Sequence, residues 1–347
     1  MDSGTRRRRQ RSAPCRLPGK PRTWRKGLAT LMRSDSRSGH AGSMLTWGGR
    51  WKKALDLCEQ SSEVLRDRCT GVAWELTIAN RYKLSALLHM GQLVEATRRV
   101  PALLSAALEQ GNLFGAMELR TRLNLIWLAA DDPDRARAEV IEALKSWPNE
   151  GFHLQHYTSL HALTQIELYT GDYEVAWKHV EGQWPALEDS LLLRTPAVRV
   201  EAMQLRARTA LATSGEGRDT GKLRLAEKWA RKMEKVNMSW SKPFATLVLA
   251  TVAQQRGRAA QSRALLSEAA EIFERADMHL YAAATRRRLG EKLGGERGQQ
   301  LIAEADAWMR EQKIKNPEAM TRMLAPGFRN GPVFLIQTVT ETVRVIV

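Results

Sequence analysis

The sequence has little of what identifies several protein classes at once. It contains only three cysteines, Cys15, Cys58 and Cys69, and their spacing matches no zinc-binding pattern. No run approaches the ~18 apolar residues that a membrane-spanning helix needs. The arginine-rich start is not followed by the apolar segment of a secretory signal. These absences predict a cytoplasmic protein that is not attached to a membrane and has no metal site.

Positive charge is concentrated at the start of the chain. The net charge is +16, yet residues 1–50 contain 13 basic and only 2 acidic residues, so the remainder is nearly balanced. We expect residues 1–43 to be a disordered basic tail, because they bury too little apolar surface to offset the entropy of ordering. Residues 6–11 (RRRRQR) would bind nucleic acid or an acidic surface. The alternatives are a merely solvated tail, or translation that starts at Met32 or Met44.

The most informative pattern is a turn residue followed five positions later by a small residue. Successive turn residues are 42, 40, 40, 50 and 36 residues apart, and a recurrence of this length predicts stacked pairs of helices. We therefore expect an all-α fold, a tetratricopeptide-like α-solenoid of antiparallel helix pairs with about 40 residues per repeat, over residues 44–325. The pairs are Gly49 and Ala54, Gly91 and Ala96, Asp131 and Ala136, Gly171 and Ala176, Gly221 and Ala226, and Gly257 and Ser262.

Apolar periodicity predicts the single helices. It gives one helix over residues 113–129, and it predicts a kink or a break at Pro101 in the helix before it. The helix over residues 51–66 has no preceding partner, so another part should cover its apolar face. Residues 326–347 are β-branched in two runs and are expected to be a C-terminal tail with strand-like segments.

Catalytic motifs are missing. The sequence has no glycine-rich loop followed by a Val-Ala-Ile-Lys strand, no Asp-Phe-Gly and no Gly-x-Ser-x-Gly. Residues 217–222 (GRDTGK) resemble a phosphate-binding loop but lack its spacing and its Ser/Thr. His153, His156 and His161 cluster without further metal ligands. We therefore expect no enzyme, no catalytic or metal site and no cofactor.

Five short sequence segments, which we call phrases, resemble a known protein family. Taken together, they resemble the C-terminal, tetratricopeptide-like region of large bacterial serine/threonine protein kinases that contain an internal ATPase module. The resemblance covers about residues 44–328 and implies a helical array that senses a signal or binds a partner. The kinase and ATPase parts of that family are absent from this sequence, so no catalytic residue transfers. The phrases are residues 68–76 (RCTGVAWEL), 150–157 (EGFHLQHY), 171–177 (GDYEVAW), 276–284 (ADMHLYAAA) and 316–327 (NPEAMTRMLAPG).

Three functions follow as hypotheses. The leading one is a scaffold that binds a protein or peptide, as the sensory or regulatory arm of a bacterial serine/threonine kinase signalling protein. The alternatives are a protein grouped with these kinases by homology although it lacks the catalytic domain, and a nucleic-acid-associated regulator that acts through residues 1–43. Self-association is also compatible with an array that has an open end. Polar residues predicted to line the inner face, and hence to contact a partner, are Asn80, Lys83, Arg120, Asn124, His156 and Arg206.

Overall fold

A computed structural model describes residues 48–148, 150–215 and 217–328, and within these ranges the chain forms helices and no strand. The all-α prediction is therefore confirmed. The helices are α1 (Trp51–Arg68), α2 (Ala73–Met90), α3 (Leu93–Glu109), α4 (Leu113–Arg122), α5 (Asn124–Ala129), α6 (Pro133–Lys145), α7 (Leu154–Thr170), α8 (Tyr173–Asp189), α9 (Pro196–Ala212), α10 (Thr220–Glu234), α11 (Ser241–Gln255), α12 (Ala259–Arg275), α13 (His279–Leu293), α14 (Gly295–Glu311) and α15 (Pro317–Leu324), with a short 3-10 helix at Leu191–Arg194 between α8 and α9.

The helices pack in chain order, which is consistent with an α-solenoid. Each helix from α6 to α13 contacts the next one, and further contacts skip one helix and join α2 to α4, α7 to α9 and α9 to α11. These contacts place α2, α4, α5, α7, α9, α11 and α13 on one side, and we call them the inner helices. A contact between α13 and α2 brings the two ends of this inner series together.

The recurring turn and small residue have the structural roles expected of them. Ala54, Ala96, Ala136, Ala176, Ala226 and Ser262 are all fully buried. The turn residue has a positive φ in five of the six cases, including Asp131 at 56°. Gly221 is the exception: it lies in the first turn of α10, and the loop before it has positive φ at Gly215 (58°) and Gly217 (92°).

One helix prediction was wrong, and of the kink or break expected at Pro101 the break is absent. The helix α3 continues through Pro101, so no break occurs there. By contrast, the single helix expected over residues 113–129 is interrupted at Leu123, where φ is −94° and ψ is 13°. Three small or apolar side chains after it (Leu125, Leu128 and Ala129) are buried, so packing keeps α5 on the inner side although the helix is interrupted.

The first helix is covered by a distant part of the chain. Trp51 is fully buried, with its ring 4.1 Å from the ring of His89 and 6.0 Å from that of Trp240. Lys52 also pairs with Asp277 at 2.6 Å. The apolar face that the sequence left without a partner is therefore covered by α2 and by residues near α11 and α12.

The last helix crosses the ends of the inner helices. The backbone N–H of Lys315 donates to the Ala129 carbonyl at 2.8 Å, and Arg322 donates to the Tyr169 carbonyl at 3.3 Å. Gln255 donates to the Gly327 carbonyl at 2.9 Å. The last carbonyls of a helix have no donor within that helix. The carbonyls of Ala129 and Tyr169, at the ends of α5 and α7, can therefore accept bonds that hold α15 and the residues before it in place.

Two predicted regions lie outside the described residues. They are the basic tail at 1–43 and the strand-like residues after 328. None of the helices in the described ranges is both long and apolar enough to span a bilayer.

Candidate functional site

The inner helices converge on a cavity of about 100 Å³ in the middle of the molecule. We call it the central cavity. Its wall combines Arg122 of α4, Tyr157 and His161 of α7, Glu201 of α9 and Tyr281 of α13. A polar group from each of four separate inner helices therefore faces the same space.

A chain of ion pairs runs through this wall. Arg122 Nη1 lies 3.7 Å from Glu201 Oε1, and its Nε lies 3.3 Å from Glu118 Oε2. Glu118 also accepts a hydrogen bond of 2.7 Å from Arg81 Nε. The side chains of Arg122 and Glu201 keep 20% and 17% of their surface open to water although helices surround them, so they face the cavity. Burial lowers the pKa of Arg122, but Glu201 and Glu118 outweigh it and the pKa is raised, which keeps the guanidinium charged.

The histidines of this region are held neutral. Burial lowers the pKa of His161 to about 4, although the Glu201 carboxylate acts in the opposite direction. Burial also lowers the pKa of His89, whose ring Nδ1 lies 2.7 Å from the Ser85 carbonyl oxygen and so acts as a donor. Burial raises the pKa of Glu201, but neighbouring charges, of which Arg122 has the largest effect, outweigh it, so its pKa lies below the ordinary value and the carboxylate is ionised.

Arg208 is a second cation close to the cavity. Its side chain is almost completely buried, and none of its three guanidinium nitrogens makes a hydrogen bond of good geometry with a described residue. Burial lowers its pKa, and the nearby Tyr281 hydroxyl opposes that effect. Arg122 is paired with Glu118 and Glu201, whereas Arg208 has no carboxylate partner among the described residues.

A larger cavity of about 550 Å³ opens between α2, α3 and α4. We call it the α2–α4 cavity. Its walls are mostly apolar, and Arg122 belongs to both cavities, so the two adjoin. Arg66, Arg81, Glu118 and Asn80 supply charged and polar groups. The apolar wall includes Val72, Leu76, Leu84, Leu103, Phe114, Leu119 and Leu123.

Exposed apolar side chains lie on both sides of the turn between α3 and α4. The exposed Trp74 ring sits 5.2 Å from the ring of Phe114, which lines the cavity. Leu108 and Leu113, on either side of the α3–α4 turn, are 51% and 54% exposed and share a shallow groove with Trp147 and Arg120. We call Leu108, Leu113 and Trp147, which line this groove together, the apolar rim. Large exposed apolar side chains that cluster in this way mark interaction sites more often than isolated ones do.

The six residues predicted to contact a partner are dispersed. Asn80 lines the α2–α4 cavity and Arg120 lines the shallow groove, and none of the cavities described above is lined by two of the six. Arg120 also lies 3.5 Å from Glu139. Their contact with a partner stays a prediction.

The remaining four make structural contacts. Lys83 is buried and pairs with Glu59 at 3.4 Å, and burial, partly opposed by that pairing, lowers its pKa. Arg206 forms two hydrogen bonds with Glu181 at 2.7 and 2.9 Å. Asn124 donates to the Ala162 carbonyl at 3.3 Å, and His156 accepts from the backbone of His153 at 3.0 Å at the start of α7.

Sequence reasoning named His161 among three clustered histidines but missed Arg122, Tyr157 and Glu201. These three residues come from α4, α7 and α9, and their meeting depends on how the inner helices converge. A polar residue within the apolar face of each helix was the only signal available. A search with protein-family models finds no match to this chain, and a search of curated proteins finds none either.

Proposed function

We propose that this protein is a tetratricopeptide-like helical-repeat scaffold that binds a protein or peptide partner. It would act by binding and not by catalysis, in the cytoplasm, as the sensory or regulatory arm of a bacterial serine/threonine kinase signalling protein. The repeat of about 40 residues and the five family-like phrases support the class of scaffold. The single observation that supports binding most directly is the apolar rim.

The rim fits the side chains of a peptide. It presents an aromatic ring and two leucines, and these lie next to Arg120. Interfaces concentrate their binding energy in a few apolar or aromatic side chains that are surrounded by polar groups. A partner segment with apolar residues next to an acidic one would complement both the rim and the arginine.

Peptide selection followed by one substitution tests this proposal. Random peptides displayed on phage are selected on the full chain, and an enriched peptide is then synthesised with a fluorescent label for anisotropy titration. Leu113→Glu places a charge in the rim and should weaken binding by at least about tenfold, or 1.4 kcal/mol.

Leu191→Glu is the matched control. Leu191 is 67% exposed and belongs to the 3-10 helix between α8 and α9, which does not line the groove at the rim. It should leave the affinity within about twofold. Failure to enrich any peptide, or equal binding by both variants and the wild type, would contradict binding at the rim.

A further inference from the structure

The α2–α4 cavity points to a ligand of its own, different from a protein partner. Its volume of about 550 Å³ lies within the range of sites that take small organic ligands. Protein interiors leave few voids larger than a water molecule, so a space of this size between three packed helices is a feature to explain. We propose that it binds a small amphiphilic carboxylate, a molecule with an apolar body and one anionic head group.

The walls determine the apolar body of the ligand. Leu76, Leu84, Leu103 and Phe114 face the space from three helices. A hydrocarbon chain needs no hydrogen-bond partner and fits an apolar wall of this kind. Burial of such a chain removes apolar surface from water, which favours binding.

The charges determine the head group. Arg66, Arg81 and Arg122 line the cavity against the single carboxylate of Glu118. Arg81 uses only its Nε in the hydrogen bond to Glu118, so both of its terminal nitrogens remain available among the described contacts. A guanidinium binds a carboxylate through two parallel hydrogen bonds, which favours a carboxylate over an alcohol or an amine.

The wall near the α3–α4 turn is held in place before any ligand arrives. Asn112 accepts from the Gly115 backbone at 2.9 Å and donates to Thr77 Oγ1 at 2.7 Å, so it joins the start of α4 to α2. A Cβ at Gly115 would lie 2.7 Å from Asn112 Nδ2, and a larger residue there would push the amide away. A wall fixed in this way lowers the entropy cost of binding.

Isothermal titration of the full chain with decanoate tests the ligand class. Decanoate should bind saturably with one site per chain, and decan-1-ol should bind at least about tenfold more weakly because it lacks the charge. Ala106→Trp fills the cavity from α3 and should reduce decanoate affinity at least about tenfold. Ala102→Trp, one turn earlier on the exposed face of the same helix, should change it by less than about twofold.

A second pair of variants tests the head group. Arg81→Gln should reduce the preference for decanoate over decan-1-ol. The Arg81→Gln change also removes one of the cations beside Glu118. Arg66→Gln is therefore measured as a second variant, and Arg199→Gln is the control; both arginines are exposed. Arg66→Gln should weaken decanoate binding, and Arg199→Gln should not. Equal affinities for acid and alcohol, unchanged binding by Ala106→Trp, or no saturable heat would overturn the proposal. None of these results depends on whether a peptide binds the rim.

Discussion

The two ends of the helical series are packed in opposite ways. Between α2 and α4 a cavity of about 550 Å³ remains open. From α11 to α14 the space between successive helices is filled: the rings of Phe244, Phe273 and Tyr281 lie 4.7 to 5.3 Å apart, and only the small central cavity adjoins Phe244 and Tyr281 among the described cavities. The same repeat can therefore produce a dense core or a ligand-sized space, depending on the size of the side chains that face inwards.

The distance between neighbouring helix backbones also differs between the two regions. In the filled region α13 and α14 approach so closely that a Cβ at Gly290 would lie 2.6 Å from the Gly298 carbonyl oxygen. A Cβ at Gly298 would lie 2.5 Å from the Gly290 carbonyl oxygen. Near the cavity the helices are separated by long side chains and open space. We infer that stability resides mainly in the filled region, and binding mainly in the open one.

The largest expected effect comes from removing a ring of the filled region. Phe244→Ala should lower the free energy of unfolding by about 3–5 kcal/mol, because the deletion leaves a cavity among Phe273 and Tyr281. Leu76→Ala, which removes apolar atoms from the wall of a space that is already open, should cost less than about 1.5 kcal/mol. Urea unfolding followed by far-UV circular dichroism measures both. Similar losses for the two variants would remove the distinction between the regions.

Two glycine-to-alanine substitutions test how closely the backbones of α13 and α14 approach. Gly290→Ala should destabilise the protein by about 1–3 kcal/mol, since the new methyl group meets backbone and cannot be accommodated by rotation of a side chain. Gly182→Ala is the matched change in the exposed part of α8, where a Cβ meets nothing within 4 Å. It should stabilise by about 0.5–1 kcal/mol through helix propensity. Thermal melts of the two variants should shift in opposite directions, and a shift of Gly290→Ala to higher temperature would contradict the packing.

Acid should reveal how tightly the central cavity is closed. The pKa of His161 is about 4 in the folded protein and near 6.5 in an unfolded chain. The unfolded state therefore binds the proton first, and stability falls as pH decreases through this window. Between pH 7 and pH 5 the loss due to His161 should be about 2 kcal/mol.

His161→Gln provides the comparison, because it removes the titrating group. Urea unfolding at pH 7 and at pH 5 should show a smaller loss of stability in the variant than in the wild type. Equal losses would mean that water reaches His161 freely. The central cavity would then be as open to water as the α2–α4 cavity.

The short-range features of this protein were predictable from sequence. The left-handed turns at Gly91, Asp131 and Gly171 and the fully buried alanines five residues later depend on local backbone geometry and on the space between two neighbouring helices. The interruption at Leu123 was not predictable, since the apolar pattern runs through it without a proline or glycine.

Only the tertiary structure decided what the helices enclose. Arg122 and Glu201 are far apart in sequence, and Trp51 reaches Trp240 because the inner series curves until α13 contacts α2. Curvature is the sum of small rotations between successive pairs, and no single residue encodes it. The repeat alone therefore determined that helices stack. The accumulated curvature and the size of the inward side chains decided where the stack closes on a charged centre and where it leaves a cavity.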